Sequence, residues 1–170
     1  MDFFVVRLTE EDRDNSRLDA VLDYALSKGL SDRNPVFLAN DAEFIKAGEQ
    51  GLLQQSRILF AVGLDTAGYN LKLYKVMQYL YQHNMALDGS YGGVVVDGVN
   101  DFLTKDMARR LVFAANMAGC TFTGKPLVEG TGSLKNFEVM AKNLNTNRTG
   151  AYKKGCQSLV EKLRDFELES

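Results

Sequence analysis

Four short runs of uninterrupted apolar residues constrain this chain more than any other feature: Phe3–Val6, Val36–Ala39, Ile58–Val62 and Val94–Val96. Each is too short for a stable helix, rich in β-branched or aromatic residues and bounded by polar or turn residues, the pattern of a strand buried on both faces. Pro35 leads into the second run, Gly63 ends the third, and the Gly92-Gly93 pair precedes the fourth. Between the runs the apolar period changes to that of a helix. Leu18, Val21, Leu22, Ala25 and Leu26 recur at helical spacing, with Gly29 as a C-terminal stop. Phe44, Ile45, Leu52 and Leu53 predict a weaker helix over 41–55, and Leu73, Val76, Met77 and Leu80 line one over 71–81. Leu111, Val112, Ala114 and Ala115 line another over 107–117, and Cys156, Leu159, Val160 and Leu163 a closing one. Lys125–Glu129 is expected to be a short fifth strand.

Continuous apolar strands that alternate with helices form a parallel sheet covered on both faces. The expected architecture is α/β, a three-layer, doubly wound, five-stranded parallel sheet with order 2-1-3-4-5. Residues 1–170 are expected to form one domain; a chain of this length buries about 70% of the surface its unfolded form exposes, enough for a core without disulfides.

Charge and composition narrow the function. Twenty Lys+Arg stand against 22 Asp+Glu, 20 − 22 = −2, so the basic stripe of a nucleic-acid-binding domain is missing. No window approaches the roughly 20 uncharged apolar residues of a membrane helix. Met1-Asp2-Phe3-Phe4 lacks the basic stretch and apolar core of a signal peptide, so a cytoplasmic protein is expected. Two cysteines, Cys120 and Cys156, are too few for a disulfide framework, and the single histidine, His83, leaves little room for a zinc site or a Ser-His-Asp triad. Cys120, at the end of an apolar helix, reads as a buried small hydrophobe and not a nucleophile, and His83 as a helix-end residue.

In open parallel sheets, ligands bind outside the carboxyl ends of the strands where the strand order reverses. For this order the relevant segments are 7–17, 63–70 and 97–104. In the third-strand loop, Asp65-Thr66-Ala67-Gly68-Tyr69-Asn70, Gly68 permits a tight turn, helix-start amides face outward to an anion or ring edge, and Tyr69 offers a stacking face. The alternative is a plain strand-to-helix turn capped by Asn70 or Thr66. In the first loop Arg13, Asn15, Ser16 and Arg17 are phosphate-binding types, but Glu10, Glu11, Asp12 and Asp14 lie among them. Those carboxylates either repel a phosphate or complement a helix dipole. The fourth loop holds Gly98, Val99 and Asn100, with Thr104 or Asp106 expected at the start of the next helix. Asp65, Asp97 and Asp101 are carboxylates of the type hard cations take, or else solvated loop acids.

The stretch from Gly92 to Phe137 resembles the last strand–helix–strand unit of the NAD(P)H-dependent FMN reductases and related flavodoxin-like proteins. Arg13-Asp14-Asn15-Ser16 is similar to the family's phosphate-binding segment. The chain departs from the family pattern in two places. Arg7-Leu8-Thr9 stands where Gly-Ser opens the first loop, and Asp65–Asn70 where a Pro-x-Tyr segment supports the flavin ring. The resemblance implies FMN at the carboxyl ends of strands 1, 3 and 4. It would be held by Arg13, Asn15 and Ser16, by Asp65, Thr66, Ala67, Gly68, Tyr69 and Asn70, and by Gly98, Val99 and Asn100. It also implies NAD(P)H as co-substrate, a homo-oligomer, and hydride or electron transfer carried by the flavin itself. Two other functions fit the same topology. One is a flavodoxin-like domain without FMN that acts through oligomerisation or partner binding. The other is a phosphorylated receiver domain with Asp12, Asp14 and Asp65 as its acidic set.

Overall fold

The computed structural model describes residues 1–122, 127–129 and 148–167. The elements run β1 (Phe3–Leu8), α1 (Ser16–Gly29), β2 (Val36–Leu38), α2 (Asp41–Glu49), β3 (Arg57–Gly63), α3 (Leu71–Gln82), β4 (Tyr91–Asp97), α4 (Asp101–Met117), β5 (Thr121–Phe122), β6 (Leu127–Glu129) and α5 (Arg148–Asp165). All pairings are parallel, and the order is β2-β1-β3-β4, with β5 and β6 successively filling the position beyond β4. The expected doubly wound sheet of order 2-1-3-4-5 is present.

Successive side chains of a strand point to opposite faces, so each apolar run feeds two cores. Phe4, Val6, Leu8, Ile58, Phe60, Val62, Val94 and Val96 pack with Phe44, Leu73, Val76, Leu80 and Leu111 of α2, α3 and α4. Phe3, Val5, Leu59, Ala61 and Val95 pack with Leu18, Val21, Ala25, Tyr152, Cys156 and Val160 of α1 and α5. Arg57, the buried first residue of β3, fastens the end of α5 beneath the sheet. Its Nε donates to the carbonyl of Leu163 at 2.9 Å and its NH2 to that of Phe166 at 3.1 Å.

Four expectations change. The fifth strand position begins at Thr121 and comes in two pieces. Tyr91 pairs with Thr121 and Val95 with Leu127. Lys125 and Pro126 lie outside the described residues. β2 is an edge strand and its apolar run is not fully buried: Val36 and Phe37 are exposed, and Leu38 alone of the three is buried. The second helix stops at Glu49, because Gly51 (φ 71°) and Gln55 (φ 51°) take left-handed backbone that a helix cannot contain. The fourth helix starts at Asp101, six residues before Met107, because Asn100 caps it and accepts the N–H of Leu103 at 3.1 Å. Asn40 and Asn70 cap α2 and α3 in the same way, at 2.9 and 2.8 Å. Among the described residues, no helix is long and apolar enough to cross a membrane.

Phe60 is fully buried and packs against Phe44 at 5.8 Å between ring centroids. Phe60→Ala is expected to lower the urea-unfolding free energy by about 3–5 kcal/mol, whereas Phe37→Ala on the exposed edge changes it by about 0.5 kcal/mol or less.

Candidate functional site

The strand order reverses between β1 and β3, so the loops after β1, β3 and β4 converge at the carboxyl end of the sheet. β4 delivers Asp97 there with 1% of its surface exposed. Two guanidiniums from the loop and helix after β1 close on it. Arg13 NH2 lies 3.0 Å from Oδ2, and Arg17 NH2 pairs with Oδ1. The Arg13 guanidinium also spans the strand ends. Its Nε donates to the Leu64 carbonyl at 2.8 Å, its NH1 to Asn15 Oδ1 at 2.7 Å, and its NH2 to the Asp97 carbonyl at 3.1 Å. Gly63 makes this possible: a Cβ there would lie 2.6 Å from Arg13 NH1 and 2.9 Å from Asn15 Oδ1.

The amides and carbonyls around this cluster are met from within the chain. Asn70 is fully buried; its Nδ2 donates to the carbonyls of Leu8 and Gly63, both at 2.8 Å, bridging the ends of β1 and β3 while its Oδ1 caps α3. Glu10 Oε1 accepts the N–H groups of Leu71 and Lys72 at 2.8 and 3.4 Å, and Lys72 Nζ donates to the Thr9 carbonyl at 2.8 Å. Asp14 Oδ1 accepts the N–H of Ser16, first residue of α1, at 3.0 Å. Hydrogen bonding from Ser16 holds the Asp14 carboxyl below its ordinary value. Asp65 Oδ1 accepts the N–H groups of Ala67 and Tyr69 at 2.9 and 2.8 Å, closing the third loop on itself. Helix N-termini expose amides and positive dipole ends that attract anions. Here the anions are side chains of the same molecule.

The residues singled out in the sequence therefore separate into groups. Arg13, Asp65, Thr66 and Val99 line a cavity of about 300 Å³ together with Asp12, Asp14 and Leu64. Asn15 is turned inward: its Nδ2 donates to the carbonyls of Glu10 and Arg13 at 3.1 and 3.0 Å. Ser16 and Ala67 spend their amides on Asp14 and Asp65, and Gly68 (φ 74°) turns the chain against Leu103. Tyr69 is 47% exposed and packs on Tyr74, 5.8 Å between centroids, away from the cavity lining. Asn70 and Asn100 are helix caps, and Gly98 lies in contact with Thr104. Sequence reasoning missed Glu10 as a cap for α3, a helix 61 residues away, and Asp97 as the centre of the cluster. The only signal for Asp97 was a carboxylate ending an apolar strand.

The remaining candidates lie elsewhere. His83 caps the far end of α3, stacked on Tyr79 at 4.3 Å with Nδ1 2.8 Å from the Tyr79 carbonyl. Cys120 and Cys156 are buried, and burial pushes both thiols up to about 12. Among the described residues no three His, Cys, Asp or Glu side chains gather as a metal set. The Asp101 side chain and Thr131-Gly132-Ser133, expected as a turn after the fifth strand, lie outside those described.

No family model and no curated protein matches the chain. Solved structures do. Oxidised flavodoxin 2 from Bacillus cereus superposes with a TM-score of 0.62 at 10% identity, over 97% of this chain and 99% of that one. The fold is flavodoxin-like. A short-chain flavodoxin associated with a bacterial microcompartment (TM-score 0.58, 13% identity, 96% and 99% covered) agrees. So does a Fusobacterium nucleatum flavodoxin variant bound to flavin mononucleotide (TM-score 0.54, 14% identity, 95% and 96% covered). Likeness at these identities carries the fold and not the activity. At the crevice where FMN is expected, the groups of phosphate-binding type already have partners in the chain. The α1 amide is taken by Asp14, the Arg13 guanidinium by Asp97, and Asp12, Asp14 and Asp65 face the cavity.

Asn70→Ala removes a helix cap and leaves two carbonyls without their buried donor. Urea unfolding is expected to show a loss of about 2–4 kcal/mol. Asp97→Ala is expected to lose about 3 kcal/mol, and the double variant with Arg13→Ala less than the sum of the singles, by about 1 kcal/mol or more.

Proposed function

We propose that this chain is a flavodoxin-like domain that works by association with protein, and that its loop-end crevice is a junction of its own residues instead of a tight FMN site. The observation that carries this reading is the Arg13 guanidinium held among Leu64, Asn15 and Asp97, beside an α1 amide already bonded to Asp14. An incoming phosphate would have to displace Asp97 from Arg13 and Asp14 from the α1 amide, in a cavity that Asp12 and Asp65 also line. The lone histidine is at the other end of α3 and both thiols are buried.

A second reading is a flavin-binding redox domain. The cavity of about 300 Å³ between Asp65, Thr66 and Val99 favours it, together with the FMN bound by the Fusobacterium relative in fold. Its finer form is an NAD(P)H-dependent flavin reductase, in which the cofactor supplies the hydride chemistry and the protein orients it. The same crevice would then have to exchange Asp14 for the phosphate.

One titration separates the readings. Ligand at 100 times its Kd stabilises a native protein by about 2.7 kcal/mol. Under the proposal, FMN at about 100 μM leaves the melting temperature unchanged and its own fluorescence unquenched. A rise of several degrees, or protein that purifies yellow, supports the flavin reading and overturns the proposal. Oxidation of NADPH or NADH dependent on added FMN identifies the reductase form.

A further inference from the structure

The amino-terminal end of the sheet, opposite the crevice, holds a cavity of about 620 Å³. Three arginines line it: Arg33 after α1, Arg57 at the start of β3 and Arg164 near the end of α5. Hydrogen bonding from Arg164, then the charges of Arg164, Arg33 and Arg57, holds the Asp165 carboxyl below its ordinary value, so all three guanidiniums stand around one carboxylate. Arg57 is the unusual member. Buried charges are held by close ion pairs, as Arg13 is by Asp97 at 3.0 Å. Arg57 is 4% exposed, yet the carboxylate that pairs with it, Glu167, lies 3.9 Å from NH2 on a side chain left in solvent. Its Nε and NH2 are spent on the carbonyls of Leu163 and Phe166. Among the described residues nothing accepts from its NH1, and that atom is not sealed from solvent.

We propose that this cavity binds a phosphate monoester, whose dianion is held by Arg57 and Arg33. Arg164 is already taken within the chain. Its Nε and NH2 fork onto Asp165 at 2.6 Å each, and its NH1 donates to the Gly29 carbonyl at 2.7 Å. That pair is neutral. Of the other acids near Arg164, Glu161 accepts from Gln157 Nε2 at 2.8 Å, and neither it nor Asp32 lines the cavity. Arg33 and Arg57 therefore face Glu167 alone. An exposed carboxylate at that distance contributes little to its partner, and it is the group a stronger anion displaces. With Glu167 turned to solvent, two positive charges remain. A phosphate monoester, with a charge of about −1.5 to −2 at neutral pH, matches them.

Geometry selects phosphate over carboxylate, and an ester over the free ion. A carboxylate brings a single charge, whereas a phosphate group offers both charges and three acceptor oxygens to guanidinium forks arriving from two elements. The cavity has the volume of a small-molecule site, with room for an organic body. Tyr91 supplies the wall for that body, its ring braced by the edge of Phe166 at 5.1 Å between centroids. Phe166 thus ties the two sides together, giving its carbonyl to Arg57 and its ring to Tyr91. Arg57 and Tyr91 open β3 and β4, whose other ends, Gly63 and Asp97, reach the crevice. The site is therefore independent of the crevice and of what the crevice binds.

NMR of the full chain, titrated at constant ionic strength with phenyl phosphate, inorganic phosphate or benzoate, tests this. The expected result is a saturable shift of Arg57 Nε–H and the Tyr91 amide with phenyl phosphate, at a Kd of about 1 mM. Inorganic phosphate and benzoate should bind more weakly. Arg33→Ala, at an exposed position, should weaken phenyl phosphate by about tenfold or more, and Glu167→Gln should tighten it by about threefold. Both variants keep the bonds from Arg57 to Leu163 and Phe166, so their circular dichroism should match that of the parent chain. Shifts that never saturate overturn the proposal, as does an Arg33→Ala variant that binds as tightly as the parent. Benzoate binding as tightly as phenyl phosphate overturns the choice of phosphate, and inorganic phosphate binding as tightly overturns the choice of an ester. FMN at about 100 μM fills only about a tenth of a site with this Kd, so the crevice titration and this one fail separately.

Discussion

Asp97 is the residue on which the carboxyl end of this sheet depends. Removing a carboxylate from water costs several kcal/mol, which only close pairing and further hydrogen bonds offset. Asp97 has both: one guanidinium on each carboxylate oxygen, while its own carbonyl accepts the N–H of Leu64 at 2.8 Å and Arg13 NH2 at 3.1 Å. The consequence reaches all three loops. Arg13 and Arg17 come from the segment after β1, Leu64 from the segment after β3, and Asp97 ends β4, so one buried charge fixes their spacing. Gly63 is committed to the same arrangement, since any side chain there would enter the space of Arg13.

Around this centre the fold resolves a difficulty common to doubly wound sheets. Helices α1 and α3 both begin at the carboxyl end, and their first N–H groups and dipoles point at the crevice. A bound anion is one solution. This chain uses another, in which Asp14 serves α1, Glu10 and Asn70 serve α3, and Asp65 serves the loop between. The acidic first loop thus completes the fold by serving the first amides of α1 and α3. On the flank of the molecule, α3 and α4 turn aromatic residues outward.

The legible part of the sequence was the part governed by periodicity. Apolar runs of three to five residues alternating with helical stripes specify buried parallel strands, and the strand order follows from that pattern with few alternatives. Periodicity also marked the core side of α3 correctly. It did not mark β2 as an edge strand, because exposure of Val36 and Phe37 depends on what lies beside them and not on their own type. The start of α4 differs from the expectation. Asn100 placed the start of α4 six residues early, a capping effect that the apolar period does not register. At the site, the strand order brings the three loops together, but the pairings among their side chains are not legible in the sequence. Glu10 with Leu71, and Arg13 with Asp97, are partners across 61 and 84 residues of chain. Local spacing carries no trace of such pairs, so a carboxylate that caps a distant helix looks the same in sequence as one left in solvent.

Side-chain NMR of the arginine Nε–H groups tests the closed crevice most directly. Arg13 Nε–H is bonded to the Leu64 carbonyl beneath a nearly buried ion pair, so its exchange with water requires local opening. The account predicts a slowly exchanging Arg13 resonance at neutral pH that is unmoved by FMN and becomes fast in Asp97→Ala. An Arg13 Nε–H that exchanges as fast as that of the exposed Arg109, or that shifts on addition of FMN, would contradict it.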